Sequence, residues 1–295
     1  MPFHLMLLPG VIIILVYSYL PMFGVVIAFQ KYDISKGIRA FLDSPWVGLE
    51  NYRRLFLAGE AVRVVGNTVK IAALKILVGF PVPIIVSLML NEASKAFIKK
   101  TVQTVVYIPH FISWVIFASV VKQIFSYDGF INDAIFPLLN LAPINFLASN
   151  THFVPMLILT DVWKSFGYGT IVYLAAITSI DPSLYEAAVM DGAGRLRQTW
   201  HVTLPGMRPI IVLTMVMTLQ NVLNAGFDQI FNLYNSQVYQ TADIIDTWVY
   251  RNTFLSAAPQ YSLGMAVSLF KSVVSMIFII MSYFLAYKVA NYQIF

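Results

Sequence analysis

DPSLYEAAVMDGAGRLRQTWHVTLPGMRP, residues 181–209, is the longest polar-rich passage of the chain, and it separates two strongly apolar runs. It reads as one helix with marked ends. Asp181 can cap it by accepting from exposed backbone N–H groups, and Pro182 suits the first helical position. Leu184, Ala187, Ala188 and Met190 give an uneven apolar side, while Glu186, Asp191, Arg195 and Arg197 need water or a partner. Gly192 and Gly194 weaken such a helix or let another backbone come close. Pro205 and Pro209 are expected to stop it before the next apolar run. An amphipathic linker lying on a membrane surface is the plainer reading. Two glycines near the middle, each costing roughly 1 kcal/mol against alanine, argue for a docked second protein instead.

The flanking runs point to a membrane. Of 295 residues, 59% are hydrophobic and 11% are charged, against about 25% charged in soluble domains. A span needs about 20 mainly apolar residues. Six passages supply them: 3–29, 64–90, 102–125, 153–180, 209–233 and 262–290. The fourth and sixth are long enough to tilt or to overrun the bilayer. The first is too long for a signal-peptide core and ends in no small-residue cleavage site, so it reads as a span. The expected fold is an all-α membrane protein, a single domain over residues 1–295, with a surface helix over about 182–199. The absence of cysteine excludes disulfides and thiolate metal sites. A net charge of +5, spread along the chain without a basic aromatic stripe, suits anionic lipid headgroups rather than nucleic acid.

The central stretch carries a further pattern. Glu186-Ala187-Ala188, three residues, Gly192, nine residues, then Val202-Thr203-Leu204-Pro205 resembles the EAA motif of binding-protein-dependent ABC importer permeases. Val202 stands where that motif has isoleucine, and Asp191-Gly192-Ala193 is similar to the family's DGA. Three other segments resemble the carbohydrate-type members. They are the run from Val47 to Tyr52 before the second span, the stretch around Pro109, Ile112 and Ser113 in the third, and Thr241 to Tyr250 before the last. The last of these is similar to the polysaccharide and oligosaccharide group.

Polar residues inside the spans are the candidates for function. Lys75 lies deep in the second span and should face protein or a wet cavity. In the third span, Pro109 predicts a kink, with His110 bonding a freed carbonyl or, less simply, carrying a proton. In the fourth, Asp161 and Lys164 share a face and can neutralise each other or meet substrate. In the fifth, Asn221, Asn224 and Asp228 step by three and four and form one polar stripe, toward a cavity or another helix. Lys271 in the last span needs a polar cavity or partner. Trp163, Tyr168 and Tyr173 suit sugar faces and hydroxyls. Lys75, Lys164 and Lys271 favour an anionic sugar such as alginate, unless they are paired with Asp161, Asp228 or partner helices.

The resemblance implies a bacterial inner-membrane subunit with the six-span type I importer permease fold, forming half of the path for an oligo- or polysaccharide. It implies a second permease, two ATPase subunits and an extracytoplasmic binding protein as partners. The helix over 182–199 would be the coupling helix, with Glu186, Ala187, Ala188, Asp191, Gly192, Ala193, Leu204 and Pro205 at the ATPase contact. ATP and magnesium would sit on the ATPases, and this chain has no cofactor, metal site or phosphate-binding loop of its own. Basic residues are balanced between the two sides, six in the first loop plus Arg251 against Lys95, Lys99, Lys100, Arg195, Arg197 and Arg208. Charge therefore does not orient the chain. The resemblance does, placing this loop and both termini in the cytoplasm. The competing class is a proton- or sodium-coupled carrier using Asp161, Asp228 and His110. It predicts more spans and inverted halves, and neither is seen.

Overall fold

Helices account for most of the structure, a computed structural model that describes residues 2–290 except positions 58, 94 and 221. In chain order the longer helices are α1 (Pro2–Ile14), α2 (Glu50–Leu57), α3 (Glu60–Gly79), α4 (Pro81–Glu92), α5 (Ala96–Phe111) and α6 (Trp114–Phe125). They continue with α7 (Phe153–Thr178), α8 (Pro182–Met190), α9 (Leu204–Gln220), α10 (Phe227–Leu233), α11 (Ile245–Tyr250) and α12 (Tyr261–Ala290). Among the described residues, extended pairing is limited to one bridge between Gln30 and Trp46. Packing sorts the chain into two units, residues up to 66 with 244–274, and 67–243 with those beyond 274.

In the first unit, α1 runs through a π turn (Leu15–Tyr19) into a 3₁₀ segment (Leu20–Phe29). Pro21 has no N–H to offer residue 17, and the helix changes pitch around it instead of breaking. The chain then folds back. Val47 N–H donates to the Phe29 carbonyl at 2.8 Å, and Asn51 Nδ2 donates to the carbonyls of Ala28 and Gln30 at 2.9 and 3.0 Å. Trp46 stacks on Phe29 with centroids 5.6 Å apart, and Tyr52 leans on the same ring. Leu55, Val64, Ile245, Trp248 and Val267 form the core of this unit.

In the second unit, α7 is the enclosed helix. It buries Phe153, Leu157, Thr160, Lys164, Gly167, Thr170 and Tyr173 among others, and packs on α4 and α5. Gly167 lies so near α5 that a Cβ there would overlap the carbonyl of Val106. Glycine at this point lets two backbones approach as small residues do in membrane bundles.

Among the described residues, four stretches can cross a membrane by length and composition: Met6–Phe29, Glu60–Glu92, Arg195–Leu219 and Tyr261–Phe284. A fifth is present if Lys99–Phe111 and Trp114–Phe125, bent by 105°, count as one. The helix expected over 153–180 forms as the 26-residue α7, but Asp161, Lys164 and its hydroxyls leave it less apolar than the others. The second expected span extends to Glu60–Glu92 because Phe80 stays helical, so Pro81 opens α4 where a missing N–H costs little. The third is broken. Pro109 stays within α5, and the turn comes at Ile112–Ser113, where Ser113 Oγ accepts from Ile116 N–H at 3.4 Å.

The fifth span is also corrected. Its helical run begins at Arg195, passes a π turn (Thr199–Thr203), continues as α9 and stops at Gln220. Pro205 and Pro209 therefore do not end a helix. Pro205 stands in the first turn of α9 just after the π turn, whose wider register absorbs the lost N–H, and Pro209 lies inside α9. Helix resumes at Phe227, after Gly226 at φ +92°.

Candidate functional site

The stretch after α7 folds as two helices, not one over 182–199. Asp181 Oδ1 accepts from Ser183 N–H at 2.9 Å and caps α8. That backbone bond, helped by the Ser183 hydroxyl, holds the Asp181 carboxyl below the usual carboxylate range. The cap is thus intact at neutral pH and is lost only as pH falls through that lowered value. At the other end, Ala193 N–H donates to the Ala188 carbonyl at 2.8 Å and Gly192 N–H to Val189 at 2.9 Å. With Gly192 at φ +74°, this is a Schellman ending. A Cβ on Gly192 would meet nothing within 4 Å. Within this chain its role is therefore to supply the left-handed backbone. A short helix, Arg195–Gln198, follows, tied back by Gln198 Nε2 to the Ala193 carbonyl at 2.7 Å.

One side of α8 is anchored. The hydroxyls of Tyr185 and Thr203 meet at 3.0 Å, and Tyr185 and Val202 pack on Leu90, Tyr173, Leu174, Ile177, Ile180 and Met207. The opposite side is exposed: Glu186, Ala187 and Asp191, with Leu184, Val189, Met190, Leu196 and Trp200. Met190 is 87% exposed. Ala188, Ala193 and Leu204 are half-buried, and Pro205 is exposed. Apolar side chains gathered around a carboxylate at a surface are suited to docking.

The second candidate region is a cavity of about 500 Å³ bounded by α3, α4, α5, α7, α9 and the segment before α10. Of the residues picked out from the sequence, Lys75, His110, Asp161, Tyr168, Tyr173 and Asn224 line it. Lys75 Nζ donates to Asp161 Oδ1 at 3.1 Å and to Gln229 Oε1. Gln229 is fully buried, and its Nε2 donates to the Leu157 carbonyl at 2.7 Å and to Thr160 Oγ1 at 2.9 Å. A Cβ on Gly226 would stand 2.6 Å from Lys75 Nζ, the far end of a side chain that can shift, so it is the φ of +92° that calls for glycine there. The Tyr173 hydroxyl shares a 2.8 Å bond with Thr214 Oγ1. Tyr168 stacks on His110 with centroids 4.4 Å apart and planes 8° apart.

Other expectations are corrected. Asp161 forms its ion pair with Lys75, not with Lys164. Lys164 Nζ instead donates to the carbonyls of Pro109 and His110 at 3.1 and 2.9 Å. The His110 ring, expected to bond a freed carbonyl there, stacks on Tyr168 instead. The polar stripe of the fifth span does not form, because residues 222–226 leave the helix. Asn221 lies outside the described residues. Asp228 is exposed in the first turn of α10, Trp163 packs on Phe117 at 5.0 Å, and neither lines the cavity. Lys271, in the first unit, donates to both carboxylate oxygens of Asp246 at 2.7 Å. Ser165, Thr214, Thr218 and Met217 line the cavity without having been singled out. The i, i+4, i+7 spacing of Asp161, Ser165 and Tyr168 would have found the first.

Residues 79–291 match the family model described as binding-protein-dependent transport system inner membrane component. The chain is similar to the polygalacturonan/rhamnogalacturonan transport system permease protein YteP of Bacillus subtilis (strain 168). The two are 43% identical over 285 residues, 97% of this chain and 87% of that protein. Protein LplB of the same organism is 42% identical over 286 residues, 97% and 88%. Among solved structures, it is similar to a bacterial ABC transporter involved in the import of the acidic polysaccharide alginate. There the TM-score is 0.89 and the identity 36%, over 97% of this chain and 95% of that one. It is also similar to a bacterial alginate ABC transporter in complex with alginate pentasaccharide-bound periplasmic protein, with TM-score 0.90 and identity 35% over 99% and 96%.

Proposed function

The chain belongs to the family of binding-protein-dependent transport system inner membrane components, and on that premise we propose that it is one permease subunit of an ATP-driven importer of acidic oligo- or polysaccharides. A second permease completes the path, two ATPases bind and hydrolyse ATP with magnesium, and an extracytoplasmic binding protein delivers the saccharide. The chain forms one permease domain of six crossings, with α7 and the bent pair α5–α6 among them. Its termini and the Asp181–Pro209 loop lie in the cytoplasm. ATP-driven closure of the ATPases moves α8 and alternates the access of the path.

The observation that carries this reading is α8. It is capped at both ends, anchored through Tyr185, and presents Glu186 among uncovered apolar side chains. The EAA spacing has a physical cause in this geometry, since Gly192 is the residue that ends the helix. The acidic class of substrate is supported by the names of relatives, one for polygalacturonan and rhamnogalacturonan and another for alginate. The lysines do not support it, because Lys75, Lys164 and Lys271 each have an internal partner. The path is assigned to the cavity beside Lys75, Tyr168, Tyr173 and Asn224.

Affinity purification of the detergent-solubilised complex tests the coupling role. An ATPase and a second permease should accompany the native chain, and Glu186→Lys should lose the ATPase while keeping the permease. A native chain that purifies without any ATPase would sink this reading.

A further inference from the structure

We propose that Lys164 is a positioning residue of the saccharide path: it holds the break between α5 and α6, and thereby presents the stacked rings of His110 and Tyr168 to the cavity as a platform for a sugar ring. This rests on the function proposed above.

The chain turns by 105° between α5 and α6. The last carbonyls of α5 lose the donors that a continuing helix would supply. Inside a membrane no lipid can replace them. The Lys164 ammonium does, reaching the carbonyls of Pro109 and His110 at 3.1 and 2.9 Å. A cation at a helix C-terminus also matches the helix dipole. The same ammonium lies 5.3 Å from the ring centre of Trp114 and 5.9 Å from that of Phe117, both at the start of α6. One buried cation, 6% exposed, therefore grips the end of one helix by its carbonyls and the start of the next by its ring faces.

Fixing the His110 carbonyl fixes the backbone from which the imidazole projects. Tyr168 lies one turn beyond Lys164 on α7 and so shares its face. The two rings stack at 4.4 Å, nearly parallel, and both line the cavity, whereas Lys164 does not. Tyr168 remains 51% exposed. A sugar ring has an apolar C–H face that a flat aromatic surface can cover, with its hydroxyls left at the edge. Ser165, Thr214 and Thr218, in the same cavity, are suited to those hydroxyls. Lys164 thus acts from behind the wall, through backbone, and touches no substrate.

The test uses the assembled transporter in proteoliposomes, with its ATPases, second permease and binding protein. Uptake of oligogalacturonides and of alginate oligomers is measured for Lys164→Met, Lys164→Arg, Tyr168→Leu, His110→Leu and the Lys164→Met/Tyr168→Leu double variant. Lys164→Met and Tyr168→Leu should each raise the KM for uptake about tenfold, equivalent to about 1.4 kcal/mol, with ATPase stimulation by loaded binding protein retained. Lys164→Arg, which keeps the donors, should recover part of the loss. The double variant should be little worse than Tyr168→Leu alone, because both changes remove one platform. Effects that add in full, or an unchanged KM for Lys164→Met in an assembled complex, would overturn the proposal. If Lys164→Met fails to assemble, the ring variants decide: an unchanged KM for both overturns it. A native complex that moves neither saccharide overturns the proposed substrate class as well, which separates the two failures.

Discussion

At the scale of single residues, a few positions have a role set by local geometry. Gly192 is at φ +74°, where a side chain costs about 1–2 kcal/mol. Gly192→Val should loosen the end of α8 and reduce the ATPase recovered with the purified complex, while Gly192→Asn, which tolerates that conformation, should keep most of it. Lys75 and Asp161 are 10% and 27% exposed and share one ion pair. Lys75→Met would leave the carboxylate without its cation, at a cost on the order of 3 kcal/mol. A thermal melt of the complex should record a clear drop, largely recovered in Lys75→Met/Asp161→Leu. An undiminished melting temperature for the single variant would show that the pair is dispensable.

At the scale of helices, the contact between α5 and α7 depends on Gly167. A Cβ there would overlap the Val106 carbonyl, which is backbone and cannot turn aside. Gly167→Ala should force the helices apart at a cost of about 1–3 kcal/mol, read as a lower yield of assembled complex on size exclusion. Gly194→Ala is the control, since a Cβ there meets nothing within 4 Å and its φ is −70°. At the break between α5 and α6 another element, through Lys164, offers donors to the exposed backbone. After the break that follows α9, Gln229 of α10 donates to α7 and ties the two helices together. Proline by itself is a poor guide: Pro81, Pro109 and Pro209 all lie within helical paths.

At the scale of the whole molecule, the proposed energy source is ATP hydrolysed by partner subunits. In cells expressing the full system, saccharide uptake should stop when ATP is depleted and continue when proton and sodium gradients are collapsed with ATP maintained. The reverse result would favour the gradient-driven carrier.

Much of this protein was readable in its sequence because the signals were local. Composition marked the membrane, the Asp181 cap and the glycine-proline punctuation marked the surface helix, and the EAA spacing pointed to the family to which the chain belongs. Local signals also misled. Pro205 and Pro209 suggested a stop where a π turn allowed the helix to continue. The near spacing of Asp161 and Lys164 suggested a pair that does not form. Only the tertiary structure decided which cation meets which acceptor: Lys75 with Asp161, Lys164 with Pro109 and His110, Lys271 with Asp246. These partners lie on separate helices, and a buried charge takes whatever acceptor the packing brings within reach. The cavity has the same origin, since its walls come from five helices and the non-helical segment before α10, whose approach no single segment encodes.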